Sequence, residues 1–430
     1  LRDMGKASFC HLRDSSGQMQ LYIRKDIVGQ REYEVFKLLD IGDIIGAVGT
    51  LFRTHTGEKT LRTQSFELLS KNLYPLPIVK EREEQVFDAF TDKEARYRER
   101  HLDLAVNPEV RTIFEKRTIL ISTMRRFLDE KGFLEVETPI LQPLYGGALA
   151  RPFTAHYHAL DRTFYLRIAD ELYLKRLLVG GFPRVYEISK VFRNEGMDRS
   201  HNPEFTMLEF YEAFTDYQDA MHLTEEMLRE CVSKAAGRFV VPYQEAEIDF
   251  QPSFRRVRFF ELLRELTGEE LLGKPLRELQ EIARRHGVEE PAASDGKIFD
   301  ELMKTHVFPK LAQPTIVYDY PLSLSPLAKK HRDDPRLVER FQIFAGGLEL
   351  CNAFSELNDP LDQRARFEAQ QRFREAGDEE APPIDEDFLR ALEYGMPPAS
   401  GVGIGVDRLT MLLTNQSSIR EVILFPAMRT

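Results

Sequence analysis

A chain of 430 residues has room for two or three domains, and its 42% hydrophobic and 30% charged content suits a globular protein with a sizeable core. No apolar run approaches the ~20 residues of a membrane span, no signal-peptide pattern is visible, and the net charge is −11. Cys10, Cys231 and Cys351 are too scattered for a metal motif or a disulfide framework, so a cytoplasmic protein with no membrane partner is expected.

Residues 1–75 carry 11 Lys/Arg against 9 Asp/Glu, and the remainder carries 48 against 61. A nucleic-acid partner would have to be met by local basic patches. In this first part, residues 7–12, 19–23, 44–52 and 59–69 have strand character, with a helical piece near 31–39. Ser16-Gly17 and Thr56-Gly57 mark hairpin turns. Four strands and one helix predict a small barrel of the OB type over residues 1–73, which binds single-stranded nucleic acid on one face. The run begins without the strand that opens such a barrel, so an N-terminally incomplete piece is expected. Phe9 can stack on a base and Gln20 can hydrogen-bond one; core packing for Phe9 and a solvated strand position for Gln20 weigh about equally on the residues alone.

Residues 74–105, with Pro75, Pro77 and the charged run 80–100, read as a linker to a larger domain over 106–430. Asn107 can cap a helix with Pro108 at its first position; Val110, Phe114, Arg117, Ile121, Met124 and Leu128 follow at helical spacing, and Gly132 ends it. A strand over 133–140 comes next, then a loop in which Gly147 lets backbone approach a ligand. Glu171 opens a helix among mostly apolar residues, where complementing the helix dipole on a solvated turn is its ordinary role. Residues 216–237 predict a surface amphipathic helix, and 254–311 a largely helical insertion that serves as cap or packing element.

Three stretches carry chemistry. Residues 187–193 and 204–211 form a hairpin about the turn 196–200, with Phe205, Met207, Glu209 and Tyr211 on one strand face. It gathers Arg193, Glu195, His201, an aromatic ring and a carboxylate. Solvated charges are the usual meaning of such a hairpin, but Glu209 sits among Met207, Leu208, Phe210 and Tyr211 and needs a cationic partner. In the second stretch, 344–358, Asn352, Phe354 and Glu356 share a strand face that Glu349 does not, which predicts a bulge or bend between them. Paired glutamates are more often solvated; the apolar neighbours here favour Mg²⁺ held against phosphates by Glu349 and Glu356. The third stretch runs Gly401, Gly403, Gly405, Asp407, Arg408 and lacks the dinucleotide glycine spacing; no Walker A lysine motif occurs anywhere. It reads as a strand-to-helix junction that brings backbone close to a flat ligand.

Phe192, Arg193, Asn194 and Glu195, followed by residues 201–211, resemble motif 2 of the class II lysyl-tRNA synthetases. The helix and strand from Asn107 to Pro139 resemble motif 1, residues 399–413 motif 3, and residues 424–429 the C-terminal end of that family. The resemblance implies an α+β fold, a class II antiparallel β-sheet flanked by helices and preceded by the OB-type barrel. It implies a homodimer built on motif 1. It also implies ATP-dependent activation of L-lysine to lysyl-adenylate and transfer to the 3′ end of tRNA(Lys). Carried onto this chain, it places Arg193 on the α-phosphate, Arg408 on the γ-phosphate, and Mg²⁺ on Glu349 and Glu356. Phe205 and Arg408 would flank adenine, Glu195 would accept from its amine, and His201 and Asn202 would line the phosphate side. Gly147 and Gly405 would admit ligand close to backbone. The lysine ammonium would meet Glu171, Glu209 and Glu356 with Tyr211 and Asn352 as polar aids, Phe354 would pack on the methylenes, and Phe9 and Gln20 would read the anticodon. Some bacterial members carry Arg before the motif 2 histidine, where this chain has Ser200 preceded by Arg199. Aspartyl and asparaginyl synthetases share the architecture, but their substrates have no use for three pocket carboxylates. An enzyme that lysylates protein has no need of an anticodon reader, and a silent RNA-binding scaffold has no need of Arg193, Glu349, Glu356 and Arg408 together.

Overall fold

The computed structural model describes the chain apart from residues 1, 4–6, 78, 79, 83, 84, 88, 89, 293, 376, 378, 379 and 430. It divides into two compact units, Leu1–Asn107 and Pro108–Thr430.

In the first unit the strands Arg2–Asp3, Ala7–Asp14, Gly17–Arg24, Lys59–Ser70 and Ile44–Arg53 lie side by side in that order. All pairs are antiparallel except Gly17–Arg24 with Lys59–Ser70. The four expected strands and the helix, observed as Gln30–Lys37, are present. Tyr33 and Phe36 of that helix pack on the buried Leu21 and Ile23, which alternate inward along their strand. At the turn, the Asp14 carboxylate accepts from the backbone N–H and hydroxyl of Ser16 and from Gly17 N–H, which hold it below its ordinary pKa. Gly49 sits at a bulge where a Cβ would lie 2.1 Å from the Arg62 carbonyl oxygen, so no other residue fits. The expected linker contains two short helices, Lys93–Arg98 and Arg100–Val106, tied together by the buried Asp103, which binds Arg96, Arg100 and Asn107 at 2.6–2.8 Å.

The second unit is built on an eight-stranded sheet. Its order is Arg255–Arg258, Thr315–Pro321, Leu337–Ala345, Leu348–Ser355, Ala399–Gly405, Glu204–Ala213, Arg184–Phe192, Leu134–Glu135. The six central strands are antiparallel, and each end strand joins in parallel. The helices Pro108–Glu130, Tyr217–Ala236 and Val406–Leu413 cover one face. There Leu120, Met124 and Phe127 meet Leu208, Phe210, Met221 and Leu228 in the main core. Because strand side chains alternate, burying Leu208 and Phe210 under helices turns Met207, Glu209 and Tyr211 to the opposite face.

Three boundaries differ from expectation. The strand expected over 133–140 is only Leu134–Glu135, since Pro139 cannot continue a ladder. The insertion opens with a strand, Arg255–Arg258, before its helices Phe259–Thr267, Leu276–Arg285 and Asp295–Leu302, which build a core of their own. Residues 217–236 form a helix with one face deep in the core, capped by reciprocal hydrogen bonds between Asp216 and Asp219.

Candidate active site

The open face of the central strands carries a cavity of about 870 Å³. Gly147, Glu171, Arg193, Glu195, His201, Asn202, Phe205, Glu209, Tyr211, Glu349, Asn352, Phe354, Gly405 and Arg408 all line it. Three buried groups staple the elements that form it. Asp407 accepts from Thr206 N–H at 2.6 Å and pairs with Arg117 at 2.6 Å, while Arg117 donates to the Thr206 hydroxyl at 3.0 Å. The first long helix, the hairpin strand and the last helix thus converge on one carboxylate that the sequence reading passed over.

One end of the cavity is anionic. Glu171 is the first residue of the helix Glu171–Val179 and is buried, not solvated on an outer turn. Gly147 explains how: its φ is +84°, and a Cβ there would lie 3.2 Å from the Glu171 Cβ, so only glycine lets the loop pass this close. Glu209 accepts from Asp170 N–H at 3.2 Å and from the Tyr211 hydroxyl at 3.0 Å. Burial, with Asp170 and Glu171 nearby, pushes the Glu209 carboxyl up to about 8. Burial also raises Glu171, and raises Glu356 far above the carboxylate range. Lys175, one turn after Glu171, ion-pairs with Glu171 at 2.5 Å and with Glu356 at closer range. Among the described residues Lys175 is the sole cation in ion-pair contact with this trio. Three carboxylates facing one ammonium leave room for two more positive charges.

Glu356, expected to touch ligand and metal, is fully buried. It is absent from the cavity lining, and its Oε1 stands over Gly401 on the sheet face shared with Tyr211 and Phe354, where an added Cβ would lie 2.0 Å away. Seven residues of nearly extended chain separate it from Glu349, on the order of 20 Å at ~3.3 Å per residue, so the two cannot share one ion. The bulge expected between them is present, as a register shift at Ile343/Phe344 opposite Leu350.

Asn352 also changes role. Its Oδ1 accepts from Arg340 Nε at 2.9 Å, and because arginine only donates, the amide nitrogen is what remains for a ligand. Such a group serves a carboxylate or phosphate, not an ammonium. Tyr211 donates to Glu209 and keeps its lone pairs to accept from an ammonium.

The other end is cationic. The Arg193 guanidinium lies 5.1 Å from the centre of the Phe205 ring and covers one of its faces. Arg408 donates to the Glu349 carbonyl at 3.3 Å, stands 3.8 Å from its carboxylate, and contacts His201 Nε2 at 3.3 Å. Arginine being the donor there, His201 carries its proton on Nδ1 and gives it to Asp198 at 2.8 Å. Burial would raise Asp198, but the hydrogen bonds from His201 and Ser200 prevail and hold it low. Asn202 spends its Nδ2 on the Glu204 carbonyl at 2.6 Å, leaving a buried Oδ1 that suits an amine better than a phosphate. Ser200 lines the cavity; Arg199 does not. The helical insertion, expected to carry no chemistry, contributes Asp300, Lys304, Phe308 and Pro309 to the wall.

Gly401, Gly403 and Gly405 share a strand face as a floor, and the steric demand falls on Gly401. A Cβ at Gly405 would meet only ordinary contacts with the Arg408 stem, at 3.8 Å. Among the described residues no cluster of three or more His, Cys, Asp or Glu has the makings of a metal site. Glu349, 37% exposed and facing the cavity, fits an ion whose other ligands come from a polyphosphate.

In the first unit Phe9 packs on Tyr22 (centroids 4.8 Å apart), Tyr22 on Phe52 (5.9 Å), and Arg62 stands over Phe52 at 5.0 Å. Phe9 is thus one of three half-buried rings in a row, of which the sequence had pointed to Phe9 alone. Gln20 is engaged at both ends, donating to Glu58 at 2.9 Å and accepting from Thr60 at 2.8 Å.

Residues 92–429 match the family model described as tRNA synthetases class II (D, K and N), and residues 1–69 that of the OB-fold nucleic acid binding domain. The chain is 52% identical to a lysine–tRNA ligase of Pelotomaculum thermopropionicum, over the whole chain and 84% of that protein. It is 50% identical to those of Halalkalibacterium halodurans and Bacillus subtilis, again over the whole chain and 84% and 85% of each. With its fold, cavity and full length thus accounted for, the chain belongs to the lysine–tRNA ligase family of class II tRNA synthetases.

Proposed function

We propose that the chain activates L-lysine with ATP and transfers it to the 3′ end of tRNA(Lys). The observation that carries this reading is the charge balance at the anionic end. Free lysine brings two ammonium groups, and Glu171, Glu209 and Glu356 lack two partners once Lys175 is counted. Aspartate or asparagine brings the α-ammonium alone and would leave one carboxylate unpaired, at a cost on the order of 3–5 kcal/mol.

In the first step a lysine carboxylate oxygen attacks the α-phosphorus, the bond from that phosphorus to the bridging oxygen breaks, and pyrophosphate leaves. Negative charge grows on the phosphate oxygens, where Arg193 and Arg408 supply fixed donors. In the second step a terminal ribose hydroxyl of the tRNA attacks the lysyl carbonyl and AMP leaves. Asn352, with its amide nitrogen free, can steady the lysine carboxylate, and Phe354 can pack on the methylenes. Phe205 offers its uncovered face to adenine, and Glu195 and the Asn202 oxygen are acceptors for its amine. We assign Mg²⁺ to Glu349 together with the triphosphate; when bound it neutralises charge on the phosphate oxygens. No general base is needed where positioning and electrostatics carry the rate.

Leu134, Ile140, Leu141, Leu144, Leu149, Tyr157 and Leu160 are large apolar side chains left exposed on the second unit, which supports a homodimer through this region. Light scattering should return twice the chain mass. We place the activity in the cytoplasm, where tRNA charging occurs; among the described residues no helix is long and apolar enough to cross a membrane. Pyrophosphate exchange with each of the twenty amino acids tests the whole reading. Lysine should support it, and exchange with aspartate or asparagine in its place would overturn it.

A further inference from the structure

Lys175 is a lysine inside a pocket proposed to recognise lysine. It is fully buried, its ammonium bridges Glu171 and Glu356, and it stands 5.5 Å from the centre of the Phe354 ring. Glu171 lines the cavity, whereas Glu356 and Lys175 are fully buried beside it. A carboxylate on the first turn of a helix has several rotamers open to it. The bridge leaves Glu171 one, set by an i,i+4 partner and anchored across to the neighbouring sheet.

We propose that Lys175 is a positioning residue for amino-acid selection: it holds Glu171 and Glu356 as one rigid pair, so that Glu171 meets an incoming ammonium already oriented. The inference rests on the reading of the anionic end as the lysine pocket. The groups facing the bridge are Glu171 on its own helix, Glu356 and Phe354 on one strand, Glu209 and Tyr211 on the next, Asp170 at the helix start, and Arg340 acting on Glu171 across the cavity. Among these Lys175 is the nearest cation to both carboxylates. Its charge opposes the rise that burial imposes on each. Removing it should let protons reach them at higher pH, so the acid limb of lysine use moves up.

The test is lysine-dependent pyrophosphate exchange by the full chain, with KM for lysine and for ATP measured separately and kcat/KM for lysine followed against pH. Lys175→Met should raise KM for lysine by about tenfold or more, the size of one well-placed charge contact, and leave KM for ATP unchanged. The acid limb should shift to higher pH, and Lys175→Arg should recover part of both losses. Lys175→Met leaves Glu356 buried without a partner and costs stability. The double variant Lys175→Met/Glu356→Gln removes that charge, so its Tm should return toward wild type while KM for lysine stays high. Wild-type KM and pH profile in Lys175→Met would overturn the proposal. So would a double variant that recovers Tm and lysine KM together, or one that fails to fold, since either assigns Lys175 to packing. A wild-type chain that exchanges with no amino acid, or with one other than lysine, defeats the underlying reading and is recognised before any variant is made.

Discussion

Glu209 is where burial and charge meet most sharply. Its two oxygens are held by Asp170 N–H and the Tyr211 hydroxyl, and no cation pairs with it among the described residues. Glu209→Gln keeps the shape and the acceptor while deleting the charge. It should lower kcat/KM for lysine by ~10²–10³-fold, the equivalent of a broken buried pair, with KM for ATP little changed in pyrophosphate exchange. The same residue sets a pH dependence. Its ordinary value is 4.5 and burial pushes it to about 8, so between those values the folded protein holds a proton that the unfolded chain has released. Stability of the unliganded protein therefore falls as pH rises through that window. An ammonium in the pocket favours the ionised form, so lysine should bind more tightly as pH rises toward 8, releasing a proton near neutrality. Calorimetry in buffers of different ionisation enthalpy reads both; affinity flat with pH would show that Glu209 does not face the ammonium.

At the scale of elements, the floor strand Ala399–Gly405 brings the hairpin, the Leu348–Ser355 strand and the last helix to one surface. Its glycines are unequal. A methyl at Gly401 would stand 2.0 Å from Glu356 Oε1 and 2.4 Å from Tyr211 Cε1, and neither a bridged carboxylate nor a buried ring can withdraw. At Gly403 it would meet the Met207 methyl at 3.1 Å, the flexible end of an adaptable side chain. Gly401→Ala should cost on the order of 10²-fold in lysine-dependent exchange through a displaced Tyr211, as small misplacements do. Gly403→Ala should stay within several-fold. Equal losses in the two would mean that the floor itself, not the Tyr211–Glu356 pair packed over Gly401, carries the effect.

The whole molecule separates two recognition tasks into two compact units. The candidate active site is lined by residues of the second unit; the ring strip of Phe9, Tyr22 and Phe52 lies in the first. Phe9→Ala removes one stacking ring worth ~1–3 kcal/mol, so kcat/KM for tRNA charging should fall roughly ten- to hundredfold. Pyrophosphate exchange should be unaffected. A parallel fall in exchange would show Phe9 to be a packing residue, since loss of fold in its unit is the remaining way for it to reach the active site.

Period and punctuation in the sequence were enough for most elements: the helix stop at Gly132, the four strands of the first unit, and the alternation that puts Phe205, Met207, Glu209 and Tyr211 on one face. Local rules decide these features, because faces and caps depend on residues within one or two turns of each other. The bulge near Leu350 was also legible, as a break in that alternation. What the sequence left open depends on which strands become neighbours. Glu356 looked like a ligand-facing carboxylate until the sheet placed it over Gly401 and against Lys175. Asn352 looked like an acceptor until Arg340 took its oxygen, and Asp407 became a three-way staple only when Arg117 and Thr206 met it. The Glu171–Lys175 spacing was visible as an i,i+4 pair, but its burial was not. Burial turns a common surface pair into part of a charge-selective pocket, and it exists only once the helix, the hairpin and the Leu348–Ser355 strand close around it.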